Sequence, residues 1–219
     1  MTIIVAIDGP AGSGKSSVSK AIARHLGFGY LDTGAAYRAL AWACLDATVS
    51  LDSEAEVLAQ LSDVVEGRPI DPDAQYHSVR GVDVTEAIRG PEVSAAVSAV
   101  ARHMPVRDAL NAGFRSLANT IEQPGIVIEG RDITTVVAPD APVRILLTAD
   151  EETRIARRQA ELDGVDASAL VNRDKADSKV VDFMTAADGV VTIDTTDLTF
   201  DQSVQAVLDV IAQNTGVTP

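Results

Sequence analysis

The segment Gly9-Pro10-Ala11-Gly12-Ser13-Gly14-Lys15-Ser16 combines small, flexible positions with one cation and one hydroxyl at its end. Glycines allow successive backbone N–H groups to curl around an anion without a side chain in the way. A lysine at this position would reach the outer phosphates of a nucleoside triphosphate, and the next serine would offer its hydroxyl to Mg²⁺. The pattern G-x-x-x-x-G-K-[ST] therefore predicts a phosphate-binding loop.

The segments on either side of this loop are those that such a site needs. The apolar run Ile3–Ile7 before it is typical of a strand buried on both faces, and a helix is predicted from about Lys15 to Leu26, ending at Gly27. A helix directly behind the loop adds the positive end of its dipole to the anion site. This strand–loop–helix setting favours a phosphate site over a plain glycine turn.

Strands and helices alternate along the rest of the chain, which predicts an α/β fold built on a doubly wound parallel sheet. Further strands are predicted over residues 28–31, 126–129, 144–148 and 190–194. Helices are predicted after Asp32, over 53–65, 92–102, 106–121 and 201–212, and as two helices within 150–179. Ser53 and Glu56 have the spacing of a capping box for the second of these helices. The sheet is expected to have five strands and helices on both faces.

One stretch interrupts this alternation. Between Gly67 and Val84, prolines, Asp71 and Gly81 break the helical pattern. The apolar residues that remain indicate short antiparallel strands and are Tyr76, Val79, Val82 and Val84. We therefore expect a small lobe inserted into the main sheet.

Composition narrows the class of protein. The 219 residues suffice for one domain with inserted lobes, and the net charge of −14 argues against a nucleic-acid partner, which requires a basic face. Cys44 is the only cysteine and lies in an apolar run, so we expect a buried, inert thiol, no internal disulfide and a reducing compartment. No signal peptide or membrane span is recognised, and a cytoplasmic location is expected.

The type of cation indicates what the site would act on. Of the 18 basic residues, 14 are arginine, the side chain best suited to bidentate phosphate contacts, although a GC-rich genome would produce the same bias. A hydroxyl acceptor needs a base to remove its proton, whereas a phosphate acceptor needs its negative charge neutralised. Several arginines beside a triphosphate site thus favour a phosphate acceptor. The paired motifs D-x-x-G and N-K-x-D of a GTPase are absent.

Two further predicted strands end in polar clusters, Asp32-Thr33-Gly34 and Glu129-Gly130-Arg131-Asp132. The carboxyl ends of parallel strands lie at one edge of a sheet, where ligands bind in this type of fold. The chain is therefore expected to bring five side chains to one cleft: Lys15, Asp32, Arg38, Arg131 and Asp132. Glu129 and Asp132 both remain open as a second ligand for Mg²⁺.

Taken with the loop, five segments closely resemble bacterial cytidylate kinases. They are Leu31-Asp32-Thr33-Gly34-Ala35-Ala36-Tyr37-Arg38, Ile88-Arg89, Pro105-Val106-Arg107, Glu129-Gly130-Arg131-Asp132-Ile133 and Pro139-Asp140-Ala141-Pro142-Val143. The similarity extends from Thr2 to about Leu198. It implies a single kinase domain with a core of residues 1–34, 104–150 and 180–219, a monophosphate-binding lobe of about 35–103 and a helical lid of about 151–179.

The resemblance also implies roles for individual residues. The ATP-binding residues would be Gly9, Pro10, Ala11, Gly12, Ser13, Gly14, Lys15, Ser16, Ser17 and Arg157, with Ser16 on Mg²⁺. The CMP-binding residues would be Asp32, Thr33, Arg38, Ser98, Arg107, Arg131, Asp132, Arg173 and Asp177. Of these, Ser98, Arg107 and Asp132 would read the cytosine edge and sugar, although the sequence alone favours Ser98 as a small helix residue. Lys15, Arg131 and Arg173 would be the catalytic cations.

The predicted lid departs from the family pattern at one position. The segment Arg173-Asp174-x-x-Asp177-Ser178 matches the motif R-D-x-x-D-S-x-R, but Val180 replaces the final arginine. Lys179 is the nearest cation in the sequence, and the lid is also shorter than the pattern implies. These changes would remove one positive charge from the transferring phosphate unless another side chain takes its place.

The resemblance predicts the reaction ATP + (d)CMP ⇌ ADP + (d)CDP with Mg²⁺, by direct in-line transfer, in a monomer. Two alternatives remain open. One is a kinase for another small acceptor such as UMP or shikimate. The other is a regulatory or scaffolding module that binds nucleotide, which the altered lid motif favours and the intact acceptor residues disfavour.

Overall fold

The computed structural model describes residues 2–65, 70–74, 76–161 and 183–217. Its main sheet contains five strands, β1 (Ile3–Asp8), β2 (Gly29–Asp32), β5 (Gly125–Gly130), β6 (Val143–Thr148) and β7 (Val191–Asp194). The strands lie in the order β2-β5-β1-β6-β7 and every pair is parallel. The predicted five-stranded parallel sheet is confirmed.

Helices cover both faces of this sheet, as a doubly wound fold requires. They are α1 (Lys15–Leu26), α2 (Thr33–Asp46), α3 (Glu54–Ala59), α4 (Ser62–Val65), α5 (Pro91–Ala101), α6 (Met104–Thr120), α7 (Glu151–Glu161) and α8 (Phe200–Thr215). A 3₁₀ turn spans Ala87–Arg89 and a π-helical turn spans Ile133–Val137. Helix α1 ends where the sequence predicts, because Gly27 adopts the left-handed conformation (φ 63°) that terminates helices.

Strand β1 is the centre of the core. Val5, Ala6 and Ile7 are all fully buried, and their side chains alternate between the two faces. Val5 and Ile7 pack in an apolar cluster with α1 and α8, whereas Ala6 belongs to a second cluster with α2, α5 and α6. Burial on both faces explains why this strand is a continuous apolar run in the sequence.

The helix predicted over residues 53–65 is wrong as a single element. It is divided into α3 and α4 by a tight turn in which the Leu61 N–H donates to the Leu58 carbonyl at 3.1 Å. The turn directs Leu61 and Val64 into the core, and this tertiary contact outweighs the local preference for one continuous helix. Ser53 is the N-cap of α3, as predicted, and its hydroxyl accepts from the Glu56 N–H at 3.4 Å. The capping box is not completed, because the Glu56 carboxylate accepts from the Ser50 N–H at 2.9 Å instead of from the Ser53 N–H.

The antiparallel strands expected between Gly67 and Val84 are present as a short hairpin, β3 (Ser78–Val79) and β4 (Val82–Asp83). Tyr76 and Val84 lie outside it, because the ladder contains only two residues on each side. Helix α7 confirms the first of the two helices predicted within residues 150–179. The second helix, together with Arg173, Asp177 and Val180, lies outside the described residues.

Asp8 joins the end of β1 to the loop that follows β5. Its Oδ1 accepts from the Ile133 N–H at 2.8 Å, and its Oδ2 accepts from the Thr134 N–H at 2.8 Å and the Thr134 hydroxyl at 2.6 Å. Burial raises the pKa of Asp8, and these hydrogen bonds offset part of that effect. Two chain segments that carry predicted site residues are therefore held at a fixed separation.

Cys44 lies in α2 and is fully buried, as predicted. Burial raises the pKa of its thiol to about 11, which keeps it protonated at neutral pH. Across the ranges that the structure describes, we find no helix with the length and apolar character needed to cross a membrane.

Candidate active site

The phosphate-binding loop lies at the carboxyl end of β1 and leads directly into α1. Glycine is required at two of its positions for steric reasons. A Cβ on Gly9 would lie 2.1 Å from the Leu147 carbonyl oxygen, and Gly12 has a φ of +78° with the Arg154 carbonyl 2.5 Å from an added Cβ. Gly14 has no side chain to cap α1, so the first N–H groups of the helix are left without a side-chain cap and suit an anion.

Hydrogen bonds to the backbone carbonyls of the loop fix its shape. Lys15 Nζ donates to the Pro10 carbonyl at 3.2 Å, and Arg154 Nη1 donates to the Ala11 carbonyl at 3.0 Å. The Thr195 hydroxyl contacts the Ser13 carbonyl at 3.3 Å from the end of β7. With its carbonyls held from outside, the loop keeps its N–H groups on the inner side.

Most of the predicted site residues line one cleft of about 480 Å³. On the loop side they are Ala11, Gly12, Gly14, Lys15, Ser16 and Ser17, and on the opposite side Asp32, Thr33, Arg38, Ser98, Arg107, Arg131 and Asp132. Gly9, Pro10 and Ser13 form the back of the loop and are not part of the lining. Arg157 is also outside the lining and donates to the Thr195 hydroxyl at 2.9 Å and carbonyl at 2.7 Å.

Asp32 and Arg38 form an ion pair at the start of α2. Asp32 is the N-cap of this helix, accepting from the Ala35 N–H at 2.8 Å, and its second oxygen accepts from Arg38 Nη2 at 3.0 Å. Burial raises the pKa of Asp32, but the Arg38 cation, the Ala35 N–H and Lys15 together outweigh it and hold the pKa below its usual value. Among the described residues, Arg38 Nε has no hydrogen-bond partner, so it is available to a phosphate oxygen.

Glu129 lies beside Asp32, because β2 and β5 pair with these two residues in register. The Tyr30 hydroxyl donates to Glu129 Oε1 at 2.7 Å, and the Thr33 hydroxyl donates to the Glu129 carbonyl at 2.8 Å. Burial and the neighbouring Asp32 charge raise the pKa of Glu129, with Lys15, Ser16 and Tyr30 acting in the opposite direction. Two carboxylates and the Ser16 hydroxyl thus lie close to the loop.

Arg107 and Asp132 form a second, more deeply buried ion pair. Arg107 Nη2 lies 2.5 Å from Asp132 Oδ2, and the two residues are 7% and 6% exposed. Burial raises the pKa of Asp132, an effect that the Arg107 cation opposes. The hydroxyl of Tyr37 lies in the same cleft without a hydrogen-bond partner among the described residues. This part of the cleft offers a cation, a carboxylate and two hydroxyl groups, one from Ser98.

Several residues that line the cleft were not assigned from the sequence. Tyr30 was detectable in principle, because it lies two residues before Asp32 on the same face of β2. Tyr37 and Arg89 belong to segments that carry the family resemblance, but spacing alone gives them no role. Lys20, whose Nζ lies 5.4 Å from the centre of the Tyr30 ring, has no sequence signal that separates it from a surface lysine.

A phosphate-binding loop that faces two arginine–carboxylate pairs across one cleft of a parallel sheet defines a phosphotransferase of the P-loop kinase class. A family described as "Cytidylate kinase" matches residues 5–213. The chain belongs to the cytidylate kinase family.

Individual relatives support this assignment over the full length. A protein named cytidylate kinase from Cutibacterium acnes is 46% identical, with 95% of this chain and 96% of the relative covered. One of the same name from Streptomyces avermitilis is 44% identical, with coverage of 96% and 93%. Another, from a Geobacillus species, is 38% identical, with coverage of 98% on both sides.

Proposed function

We propose that this protein transfers the γ-phosphoryl group of ATP to CMP or dCMP, giving ADP and (d)CDP, by direct in-line displacement. The observation that carries the proposal is the shared cleft, in which the phosphate-binding loop and the buried Arg107–Asp132 pair occur together. A cleft of about 480 Å³ suits two nucleotides only in part, so the substrates would extend beyond it toward the predicted lid.

The donor side would act through backbone N–H groups and one cation. The N–H groups of Gly12–Ser16 and the start of α1 would hold the β- and γ-phosphates of ATP. Lys15 would exchange its bond to the Pro10 carbonyl for the outer phosphates and stabilise the charge that develops during transfer. Arg157, next to Gly14, would support the same side.

The acceptor phosphate would be bound by side chains at the end of β2 and β5. Arg38 and Arg131 would neutralise its charge, and Thr33 would add a hydroxyl. Asp32 would orient Arg38 through the existing ion pair. Because a phosphate acceptor is already anionic, no general base is needed, and positioning and electrostatics supply the catalysis.

The cytosine base would be read by Ser98, Arg107 and Asp132. A carboxylate can accept from the exocyclic amine, and a guanidinium and a hydroxyl can donate to the ring nitrogen and carbonyl. UMP presents a carbonyl where CMP presents the amine, so a buried carboxylate at this position would discriminate against it.

The residues near the loop fit a magnesium ion. Ser16 would bind it directly. Of the two carboxylates considered as a second ligand, Glu129 is favoured because it is hydrogen-bonded to Ser16, whereas Asp132 is paired with Arg107. Mg²⁺ in kinases is held mainly by substrate phosphates, water and one or two protein oxygens, so this sparse donor set is sufficient. When bound, the ion would neutralise charge on the donor phosphates.

The proposal includes features that extend beyond the described cleft. Arg173 and Asp177 would act from a lid of residues 151–179, and residues 35–103 would form the monophosphate-binding lobe around a core of 1–34, 104–150 and 180–219. Closure of both parts would exclude water that hydrolyses ATP.

With a net charge of −14, we also propose a cytoplasmic monomer with no nucleic-acid or membrane partner. Light scattering would test the monomer.

The deciding experiment measures ADP release from Mg·ATP with CMP, dCMP, UMP, AMP, dTMP and shikimate as acceptors. We expect rapid turnover with CMP and dCMP and slow turnover with the others. Fast turnover with UMP or shikimate would replace the proposed acceptor. If no acceptor supports turnover in a folded protein that still binds ATP, a nucleotide-binding regulatory module would be the better assignment.

A further inference from the structure

The contacts that hold Arg131 in the cleft include two of different kinds. Its Nη1 donates to the Gly9 carbonyl at 3.2 Å, which connects it to the start of the phosphate-binding loop. Its guanidinium carbon also lies 4.1 Å from the centre of the Phe183 ring. Phe183 is only 1% exposed, so the contact between the cation and the ring is shielded from water.

We propose that Phe183 is a positioning residue for phosphoryl transfer, which holds the Arg131 guanidinium in its working orientation. This inference rests on the role of Arg131 given under the proposed function. An arginine side chain has many rotamers, and fixing it only in the transition state would raise the barrier to phosphoryl transfer. The Gly9 carbonyl holds one edge of the guanidinium and the Phe183 ring holds its face, so little freedom remains to be lost.

Phe183 is itself held by the fold. Residues 183–190 lead into β7, and Arg144 on β6 connects this segment to the π-helical turn after β5. Its Nη2 donates to the Asp188 carbonyl at 3.0 Å, and its Nη1 contacts the Thr134 carbonyl at 3.4 Å. The ring therefore approaches Arg131 from an anchored segment, although Arg131 follows β5 and Phe183 precedes β7, two strands that are not neighbours in the sheet.

The first test replaces Phe183 by leucine, which keeps apolar volume and removes the aromatic face. We expect kcat with Mg·ATP and CMP to fall about tenfold, since a desolvated cation–π contact has this order of strength. ATP affinity, measured by calorimetry, should stay within about twofold of the wild type, because Arg131 is assigned to the acceptor phosphate and ATP is held by the N–H groups of the loop. The aromatic variants Phe183→Tyr and Phe183→Trp should retain most of kcat.

Phe28→Leu is the matched control. Phe28 is also buried, at 4% exposure, but it lies against Gly125 at the opposite end of β5. It measures what the loss of a buried ring does to stability alone, and it should leave kcat unchanged. If Phe183→Leu fails to fold, pentafluorophenylalanine at position 183 keeps the ring shape and reverses its charge distribution, and the same loss of kcat is expected.

A double-mutant cycle separates this inference from the role of Arg131. Arg131→Met should lower kcat strongly, and Phe183→Leu should cause little further loss in that background. Wild-type kcat for Phe183→Leu, or an equal loss in both backgrounds, would overturn the positioning role while the proposed function stands. Full activity of Arg131→Met would instead overturn the assignment of Arg131, and the inference with it.

Discussion

The proposed donor and acceptor sides of the cleft would bind phosphate by different means. On the donor side, backbone N–H groups of the loop and of α1 form the binding surface, and outside contacts such as Arg154 to the Ala11 carbonyl hold their carbonyls. On the acceptor side, charged side chains form the surface, and each described pair joins an arginine to a carboxylate, Arg38 to Asp32 and Arg107 to Asp132.

This difference follows from the electrostatics of burial. Peptide dipoles carry no net charge, so a loop of N–H groups needs no counterion while its anion is not bound. A buried guanidinium does need a counterion in the unliganded protein, because an unpaired charge in a protein interior is strongly destabilising. The acceptor side therefore keeps a carboxylate beside each of these arginines. A bound substrate would contact the arginine together with that carboxylate, or would take the place of the carboxylate. Changes on the donor side should lower kcat. Changes in the two arginine–carboxylate pairs of the acceptor side should mainly raise KM for CMP, whereas loss of Arg131, the catalytic cation of that side, should lower kcat.

Lys15→Ala should have the largest effect. Removing the cation that follows developing charge on the donor phosphates should lower kcat about 10³-fold, the range seen when one transition-state donor is lost. Steady-state ADP release with saturating CMP measures it, with the melting temperature as a check on folding. Near-normal turnover in a folded Lys15→Ala protein would contradict the donor-side assignment.

Arg38→Ala should raise KM for CMP about 10- to 100-fold, because a charge-assisted contact to phosphate is lost and Asp32 is left without its cation. The affinity for ATP should change little. Arg24→Ala is the matched control, since Arg24 forms an exposed pair with Asp73 at 2.6 Å away from the lining of the cleft. A loss confined to kcat, with KM for CMP unchanged, would show that Arg38 serves the donor side instead.

Asp132→Asn should raise KM for CMP about tenfold and narrow the preference over UMP. The pH dependence tests the same group. Burial raises the pKa of Asp132, so its charge, present above that pKa, should be lost as the pH falls, at higher pH than for an ordinary aspartate. The kcat/KM for CMP should fall over that range in the wild type, and this decrease should be smaller in Asp132→Asn, in which Glu129 still titrates. The same decrease in both proteins would exclude Asp132 as its source.

Tyr30→Phe should have the smallest effect on activity. It tests Glu129, which lies between the donor side and the acceptor side of the cleft. It removes the hydroxyl that donates to Glu129 at 2.7 Å, so the pKa of Glu129 should rise further and stability should fall by about 1 kcal/mol. We expect kcat to fall about threefold at acidic pH, where Glu129 becomes protonated. Tyr76→Phe, at a side chain that is 52% exposed, is the control and should match the wild type in both measurements.

The phosphate-binding loop of the donor side was predictable from the sequence because its residues are consecutive. Gly9 to Ser16 form one stretch, and the strand before and helix after it follow from local patterns. On the acceptor side, the predicted strand ends brought Asp32, Arg131 and Asp132 to the cleft, whereas the roles of Ser98 and Arg107 required the family resemblance. No local pattern pairs Arg107 with Asp132, 25 residues away, and the placement of β5 between β2 and β1, which brings Glu129 beside Asp32, depends on the folded sheet.

Two features were beyond sequence reasoning for physical reasons. The division of residues 53–65 into two helices depends on core contacts of Leu61 and Val64, which local propensity does not contain. The contact of Phe183 with Arg131 joins segments that are separated by two strands in the sheet. In the sequence, Phe183 is indistinguishable from any other apolar core residue.

The Asp8 carboxylate ties the end of β1 to the loop after β5, which limits how these two segments can move relative to each other. It accepts three hydrogen bonds from Ile133 and Thr134, across about 125 residues of chain. Amide hydrogens held by a buried carboxylate exchange with solvent only when the surrounding structure opens, so those of Ile133 and Thr134 should exchange as slowly as the central strands. The loop after β1 and the loop after β5 therefore move as one body. We therefore expect any hinge that opens the cleft for substrate to lie outside these two loops.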